Sequence, residues 1–195
     1  MPLWGATDAD ESKPKWLTTA QKKEVFADTT GWVVEGGSTM TGNDNTSAAP
    51  EILAAIGGLT TKIGAADITG VEWITTAADK SAGFTLSVRV RWNEAVTVTG
   101  NPTLAVTNGN QGTGSGRGPH SLVYASGSGS NELVFSLAIA AANAATNADD
   151  VLTVAAQTIA LAGGTIKDTA DGTTVSARAI SGTQGTAAGT VTVVA

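Results

Sequence analysis

The feature that most narrows what this chain can become is an alternation over residues 84–92. Phe84, Leu86, Val88, Val90 and Trp92 are interleaved with Thr85, Ser87, Arg89 and Arg91. Successive side chains of a strand point to opposite faces, so a period of two predicts one face in a core and one turned outward. The same pattern continues from Thr69 to the end of the chain. Further apolar runs lie at 71–74, 96–98, 104–106, 122–124, 133–139, 151–154, 158–161, 175–180 and 191–194, with Ile166 between the runs at 158–161 and 175–180. In the run 133–139, Leu133, Phe135, Leu137 and Ile139 form the inward set. Turn-forming stretches separate the runs: Gly100-Asn101-Pro102, Asn108-Gly109-Asn110, Ser126-Gly127-Ser128-Gly129, Gly163-Gly164 and Asp171-Gly172. Short strands at this spacing, with no helical pattern between them, predict an all-β sandwich or barrel over 69–195.

Residues 1–68 have a different composition. Their apolar residues are dispersed around Leu3-Trp4, Trp16-Leu17 and Trp32-Val33-Val34. Residues 17–26 predict a short helix capped by Thr18 or Thr19, with Val25 and Phe26 folding back on Trp16 or Leu17. Residues 36–49 are rich in Gly, Ser, Thr and Asn and carry too little apolar surface to order by themselves. Residues 50–59 predict a helical turn stopped by Gly57-Gly58. The expectation is an extended, mostly irregular N-terminal arm with a short helix, ordering on a partner, followed by a β-domain that folds alone.

Charge and composition exclude several functions. Eleven Lys and Arg face seventeen Asp and Glu, a net charge of −6. Nucleic acid needs clustered cations that displace counterions, so it is not an expected partner. The densest basic group, Lys13, Lys15, Lys22 and Lys23, is interleaved with Glu11 and Glu24 and reads as a solvated face. There is no cysteine, which removes disulfides and thiolate metal sites. The start of the chain lacks the basic flank and apolar stretch of a signal peptide. No run approaches the roughly 20 apolar residues of a membrane span, so no membrane partner is expected either. Synthesis in a cytoplasm follows, with any export by another route.

Three separated blocks carry a resemblance. Val90-Arg91-Trp92-Asn93-Glu94-Ala95-Val96-Thr97-Val98-Thr99-Gly100-Asn101-Pro102-Thr103-Leu104 resembles one end of a bacterial immunoglobulin-like repeat. Val123-Tyr124-Ala125-Ser126-Gly127-Ser128-Gly129, continuing to Leu133-Val134-Phe135, and Gly164-Thr165-Ile166-Lys167-Asp168-Thr169-Ala170-Asp171-Gly172 resemble its later blocks, in order. Trp92 stands where that family has Phe, and the loop 109–120, with five glycines, is longer than usual. The resemblance spans about 70–180 and implies an immunoglobulin-like β-sandwich. A shorter one lies in Met1-Pro2-Leu3-Trp4-Gly5, Lys13-Pro14-Lys15-Trp16-Leu17 and Gly31-Trp32-Val33, which are similar to N-termini of virion structural proteins of tailed marine phages. It implies a component of a virus particle.

The candidate chemical groups are few. His120 is the single histidine, with Ser121, Asp149 and Asp150 downstream. No nucleophile elbow accompanies it, so it reads as a loop residue and no catalysis is expected. Asp8/Asp10/Glu11, Asp149/Asp150 and Asp168/Asp171 could supply oxygens to Ca²⁺, but none has the spacing of a calcium loop; Asx turns at Asp168 and Asp171 are the simpler reading. The glycines of 109–118 lack the Lys-Ser/Thr of a phosphate loop. No cofactor is expected. Leu3, Trp4, Trp16, Leu17 and Trp32 remain as candidate partner-binding residues: a segment so poor in apolar residues cannot bury three indoles alone, so the tryptophans either anchor a partner or pack onto the chain's own β-domain, and the expectation here is the partner. Taken together, the expectation is a capsid decoration or cement protein. Residues 1–68 dock on the major capsid protein of a phage shell, 69–195 form the outer sandwich, and a homo-oligomer at a symmetry axis is compatible. The competing expectation is a carbohydrate- or receptor-binding module on a phage tail or cell surface.

Overall fold

The computed structural model describes residues 13–28, 31–55, 65–109, 119–141, 146–170 and 172–195. Among the described residues the fold is all-β apart from one 3₁₀ turn and one short helix. Near the start of the chain, β1 (Val25–Asp28), β2 (Gly31–Val34) and β3 (Glu51–Ala55) form a small sheet of their own. The body, from residue 65 onward, is a nine-stranded sheet. Its strands are β4 (Ile68–Trp73), β5 (Ala78–Asp79), β6 (Phe84–Thr99), β7 (Thr103–Gly109), β8 (His120–Ser126), β9 (Ser130–Ile139), β10 (Val151–Thr153), β12 (Thr165–Asp168) and β14 (Thr190–Val194). Beside it, β11 (Gln157–Thr158) and β13 (Ala179–Ile180) form a two-stranded pair. The order along the large sheet is β12-β6-β9-β8-β7-β10-β14-β5, and β4 pairs with β6 off this path. The sheet curls so that inward residues of distant strands share one core: Leu86, Val88, Val90 and Trp92 meet Leu104, Leu122, Leu133, Phe135, Leu152, Ile166 and Val193.

The alternation of residues 84–92 produces this core directly. Leu86, Val88, Val90 and Trp92 are buried while Thr85 is exposed, and on β9 Leu133, Phe135 and Ile139 are buried. Tyr124 meets Phe135 edge-on, ring centroids 6.3 Å apart. The indole of Trp92 donates to the Ala177 carbonyl at 2.9 Å, so its one polar atom is satisfied inside the core. The run at 96–98 is not a separate strand. It continues β6, which turns at a bulge between Arg91 and Val96 where Trp92, Asn93 and Glu94 are all buried. The β8–β9 hairpin turns on Gly127 at φ 107°, where a Cβ would collide with the Glu132 carbonyl oxygen.

The run 175–180 contributes only a bridge at Val175 and the two residues of β13. A helix, α1 (Gly182–Ala188), also forms where the sequence has no helical pattern. Ser181 and Gln184 cap it reciprocally, and Gln184 donates to the Ile68 carbonyl at 2.7 Å.

The largest departure lies in the N-terminal segment, which is not mostly irregular. Residues 21–24 form a 3₁₀ turn, and β1, β2 and β3 follow as an antiparallel sheet in that order. The helix expected at 17–26 is limited to that turn because Val25 and Phe26 pair with Val34 and Val33. Thr18 does close the turn, exchanging hydrogen bonds with Gln21. The helical turn expected at 50–59 is the strand β3 over its described part, where Ile52 pairs with Val33; residues 56–59 lie outside the described residues. The stretch 36–49 is ordered with little apolar burial, Met40 being its one side chain packed on the small N-terminal core. Ser38, Thr41, Asn43 and Asn45 each accept a hydrogen bond from the backbone N–H two residues on, a staircase of side-chain-closed turns.

The core assignment gives a direct expectation. Phe135→Ala should lower unfolding free energy by about 3–5 kcal/mol, the range for a buried aromatic truncation. Thr85→Ala, on the opposite face, should stay within about 0.5 kcal/mol. Chemical denaturation of the two variants checks the facing of β6 and β9; equal losses would contradict it.

Candidate functional site

The N-terminal sheet has two occupied faces. On one, Val25, Trp32 and Val34 join Leu17 in a small core of their own, with Met40 and Leu53 packed against it. On the other lie Phe26 and Val33, cross-strand partners that are also buried. This second side meets the outer face of β6, where the strand pattern places Arg89 and Arg91. The alternation expects Arg91 to face outward, and it does, but only 5% of it is exposed because the N-terminal sheet covers it.

The seam between the two sheets contains the densest charge cluster of the described residues. The Arg91 guanidinium is divided among three carboxylates from three elements. Its Nη2 donates to Glu35 Oε1, just past β2, at 2.9 Å, and its Nη1 reaches Glu72 Oε2 on β4 at 3.0 Å. Its Nε donates to Glu132 Oε1 on β9. Strand pairing brings two of these acids there, since Arg91 lies opposite Glu132 and Arg89 opposite Glu72. Arg89 Nε adds an ion pair to Glu132 Oε2 at 3.3 Å, and Lys23 Nζ one to Glu72 Oε1 at 3.6 Å. Beside the cluster is a cleft of about 300 Å³, lined by Phe26, Glu35, Thr46, Pro50, Asn131 and Glu132 among others.

The three acids are not equivalent. Glu35 Oε2 is sealed from solvent with no hydrogen-bond donor against it. Burial, the hydrogen-bonding neighbour Glu132 and that neighbour's charge outweigh the attraction of Arg91 and Arg89, and push the Glu35 carboxyl up to about 8. Burial would also raise Glu132, but the hydrogen bond with Glu35 and the charges of Arg91 and Arg89 prevail and lower it.

The sequence-derived anchors separate. Leu3 and Trp4 lie outside the described residues. Leu17 and Trp32 belong to the small N-terminal core, Trp32 being 2% exposed, whereas Trp16 is 68% exposed. Of the basic group, Lys13 is not on a solvated face: it is buried, and its Nζ donates to the Lys22 carbonyl at 2.6 Å. His120 is not a loop residue but the buried first residue of β8. Its Nε2 lies 3.1 Å from Thr146 Oγ1, and burial lowers its pKa against the opposing charge of Asp150. Asp168 forms the expected Asx turn, accepting from the Ala170 N–H at 2.7 Å; Asp171, Asp8, Asp10 and Glu11 lie outside the described residues. Among the described residues no group of three or more acids or histidines is arranged to hold a metal ion, and no helix is long and apolar enough to cross a membrane. Comparison with protein-family models, with curated proteins and with solved structures returned no match.

The Arg91 cluster escapes a reading of the sequence because Glu35 is distant from the strands it meets. The available signal is that Arg89, Arg91, Glu72 and Glu132 share the outward parity of neighbouring strands. Arg91→Met should destabilise the protein by about 3–5 kcal/mol, because it removes the buried cation that three half-buried carboxylates share. Arg91→Lys should recover only part of that loss, since an ammonium cannot present the planar fork. Denaturant unfolding of both variants checks this; a neutral Arg91→Met would mean that water already satisfies the three acids.

Proposed function

We propose that the chain is a structural protein of a virus particle, a capsid decoration or cement protein whose N-terminal unit docks on the major capsid protein of a phage shell. The β-rich body is, on this reading, an immunoglobulin-like module displayed outward. The single observation that carries the docking half is Trp16. An indole exposed over two-thirds of its surface is costly to leave in water and is the residue type that most often anchors an interface. Two further features support the same unit as the docking element. Ile52, on the edge strand β3, is 59% exposed. The body exposes Ile74, Val123, Val175 and Val194 as well, but Trp16 is the one aromatic among the exposed large hydrophobics of the described residues. The likeness of Met1-Pro2-Leu3-Trp4-Gly5 and Lys13-Pro14-Lys15-Trp16-Leu17 to N-termini of tailed-phage virion proteins supplies the identity of the partner.

The mechanism is adhesion through apolar anchors, so particle binding should depend weakly on salt. Trp16→Ala should reduce co-sedimentation with shells assembled without this protein while leaving the melting temperature unchanged. Trp32→Ala should instead melt the N-terminal sheet, because its indole is committed to the small core. Full occupancy by Trp16→Ala across a salt series would remove Trp16 as the anchor and move the docking surface to the body.

A further inference from the structure

At one end of the body a lysine and an asparagine meet through their side chains. Lys80 follows β5 and Asn147 precedes β10, 67 positions apart in the sequence, and the Lys80 Nζ donates to Asn147 Oδ1 at 2.9 Å. Strand β14, which lies between β10 and β5, places both. Its Val194 carbonyl accepts the Lys80 N–H at 2.9 Å, and its Val193 carbonyl accepts the Asp149 N–H at 2.8 Å. Lys80 thus reaches across the end of β14 to the turn that leads into β10.

That turn is held on both sides of Asn147. Thr146 is buried, its Oγ1 3.1 Å from His120 Nε2. Asp150, also buried, accepts the Asn147 N–H through Oδ2 at 2.7 Å, and Asp149 has a φ of 67°, uncommon for a residue with a side chain. The ion pairs of the described residues involve Lys23, Arg89 and Arg91, so the Lys80 amine faces a carboxamide where a carboxylate is the usual partner.

We propose that Lys80 and Asn147 are joined by an intramolecular isopeptide bond, made by the folded chain on itself. Lysine amines are nucleophiles once they have lost their proton. The free amine attacks Asn147 Cγ, the Nζ–Cγ bond forms and the Cγ–Nδ2 bond breaks. One proton passes from Nζ to Nδ2, which leaves as ammonia, and the proton first shed by the ammonium is taken up by that ammonia. Nothing is oxidised or reduced, and no co-reactant is consumed. A carbonyl carbon lies about 1.2 Å from its oxygen, so a turn of the amide brings Cγ toward Nζ. Aminolysis of an amide is slow between free molecules; a held contact at roughly 3–3.5 Å supplies the proximity and orientation it otherwise lacks. The bond closes a loop containing β6, β7, β8 and β9 and restricts the unfolded chain as a disulfide does, in a chain that has no cysteine. This inference does not rest on the virion reading.

Mass spectrometry of the intact, denatured chain tests it. The parent protein should be lighter than its sequence by one ammonia, and proteolysis should release a branched peptide that carries Lys80 and Asn147 in one covalent unit. Lys80→Arg, which keeps the positive charge without a competent nucleophile, should show its full sequence mass. A parent chain still at full sequence mass after prolonged incubation in mildly alkaline solution would overturn the cross-link and leave a hydrogen bond only. So would an ammonia loss that persists in Lys80→Arg, since another asparagine, such as Asn108 before Gly109, would then be its source.

Discussion

The arrangement of the two sheets depends on one buried guanidinium. Arg91 stands on the long central strand of the body and takes one carboxylate from β4, one from β9 and one from the N-terminal unit. Arginine suits this position because its donors are fixed in a plane and diverge, so three acids can approach from different directions. Desolvating such a charge is expensive, and the attraction compensates only when the partners are placed well. That requirement ties together segments far apart in the chain and sets where the N-terminal sheet lies on the body. A hydrophobic patch of equal area would hold the two units together but would fix their angle less sharply.

The facing of the body is legible in the sequence. Period two alone assigns Leu86, Val88, Val90, Trp92, Leu133 and Phe135 to one interior, and all are buried. What the period cannot report is whether an outward face meets water. Arg89 and Arg91 have the same parity, yet only Arg91 is deeply covered, because a sheet formed much earlier in the chain lies across it. Long-range coverage leaves no local trace, which is why the Arg91 cluster could not be assembled from the strand pattern. Only the shared parity of Glu72, Arg89, Arg91 and Glu132 points toward it.

The N-terminal segment departs from expectation for a different reason. Poverty in apolar residues argues for lack of order, but residues 36–49 satisfy their backbone through their own side chains. Ser38, Thr41, Asn43 and Asn45 supply acceptors at the i to i+2 spacing, and Ser38 also donates to Glu24 beside the seam. Such turns stabilise a loop with little burial. The same balance explains the two helices that did not form: pairing with β2 offers Val25, Phe26 and Ile52 a buried cross-strand neighbour, and β-branched and aromatic residues lose little by accepting it. Conversely, α1 forms from Gly, Thr and Ala, with the Ser181–Gln184 capping box and the bond to the Ile68 carbonyl in place of helical propensity.

The three N-terminal tryptophans, alike as sequence features, make different kinds of demand on the fold. Trp4 lies outside the described residues. Trp32 sits on a strand with four consecutive buried residues, a pattern possible only where both faces of a sheet are covered, and its indole completes the small core. Trp16 follows Pro14 and Lys15 at the entrance to the 3₁₀ turn, and its neighbour Leu17 takes the interior place. Leu17 and Trp16 are adjacent in a turn, so one of them facing inward forces the other outward. The exposed indole is thus a geometric consequence of how the small core is filled. It also means that the core which orients Trp16 is seated against the body through the ion pair of Glu35 with Arg91.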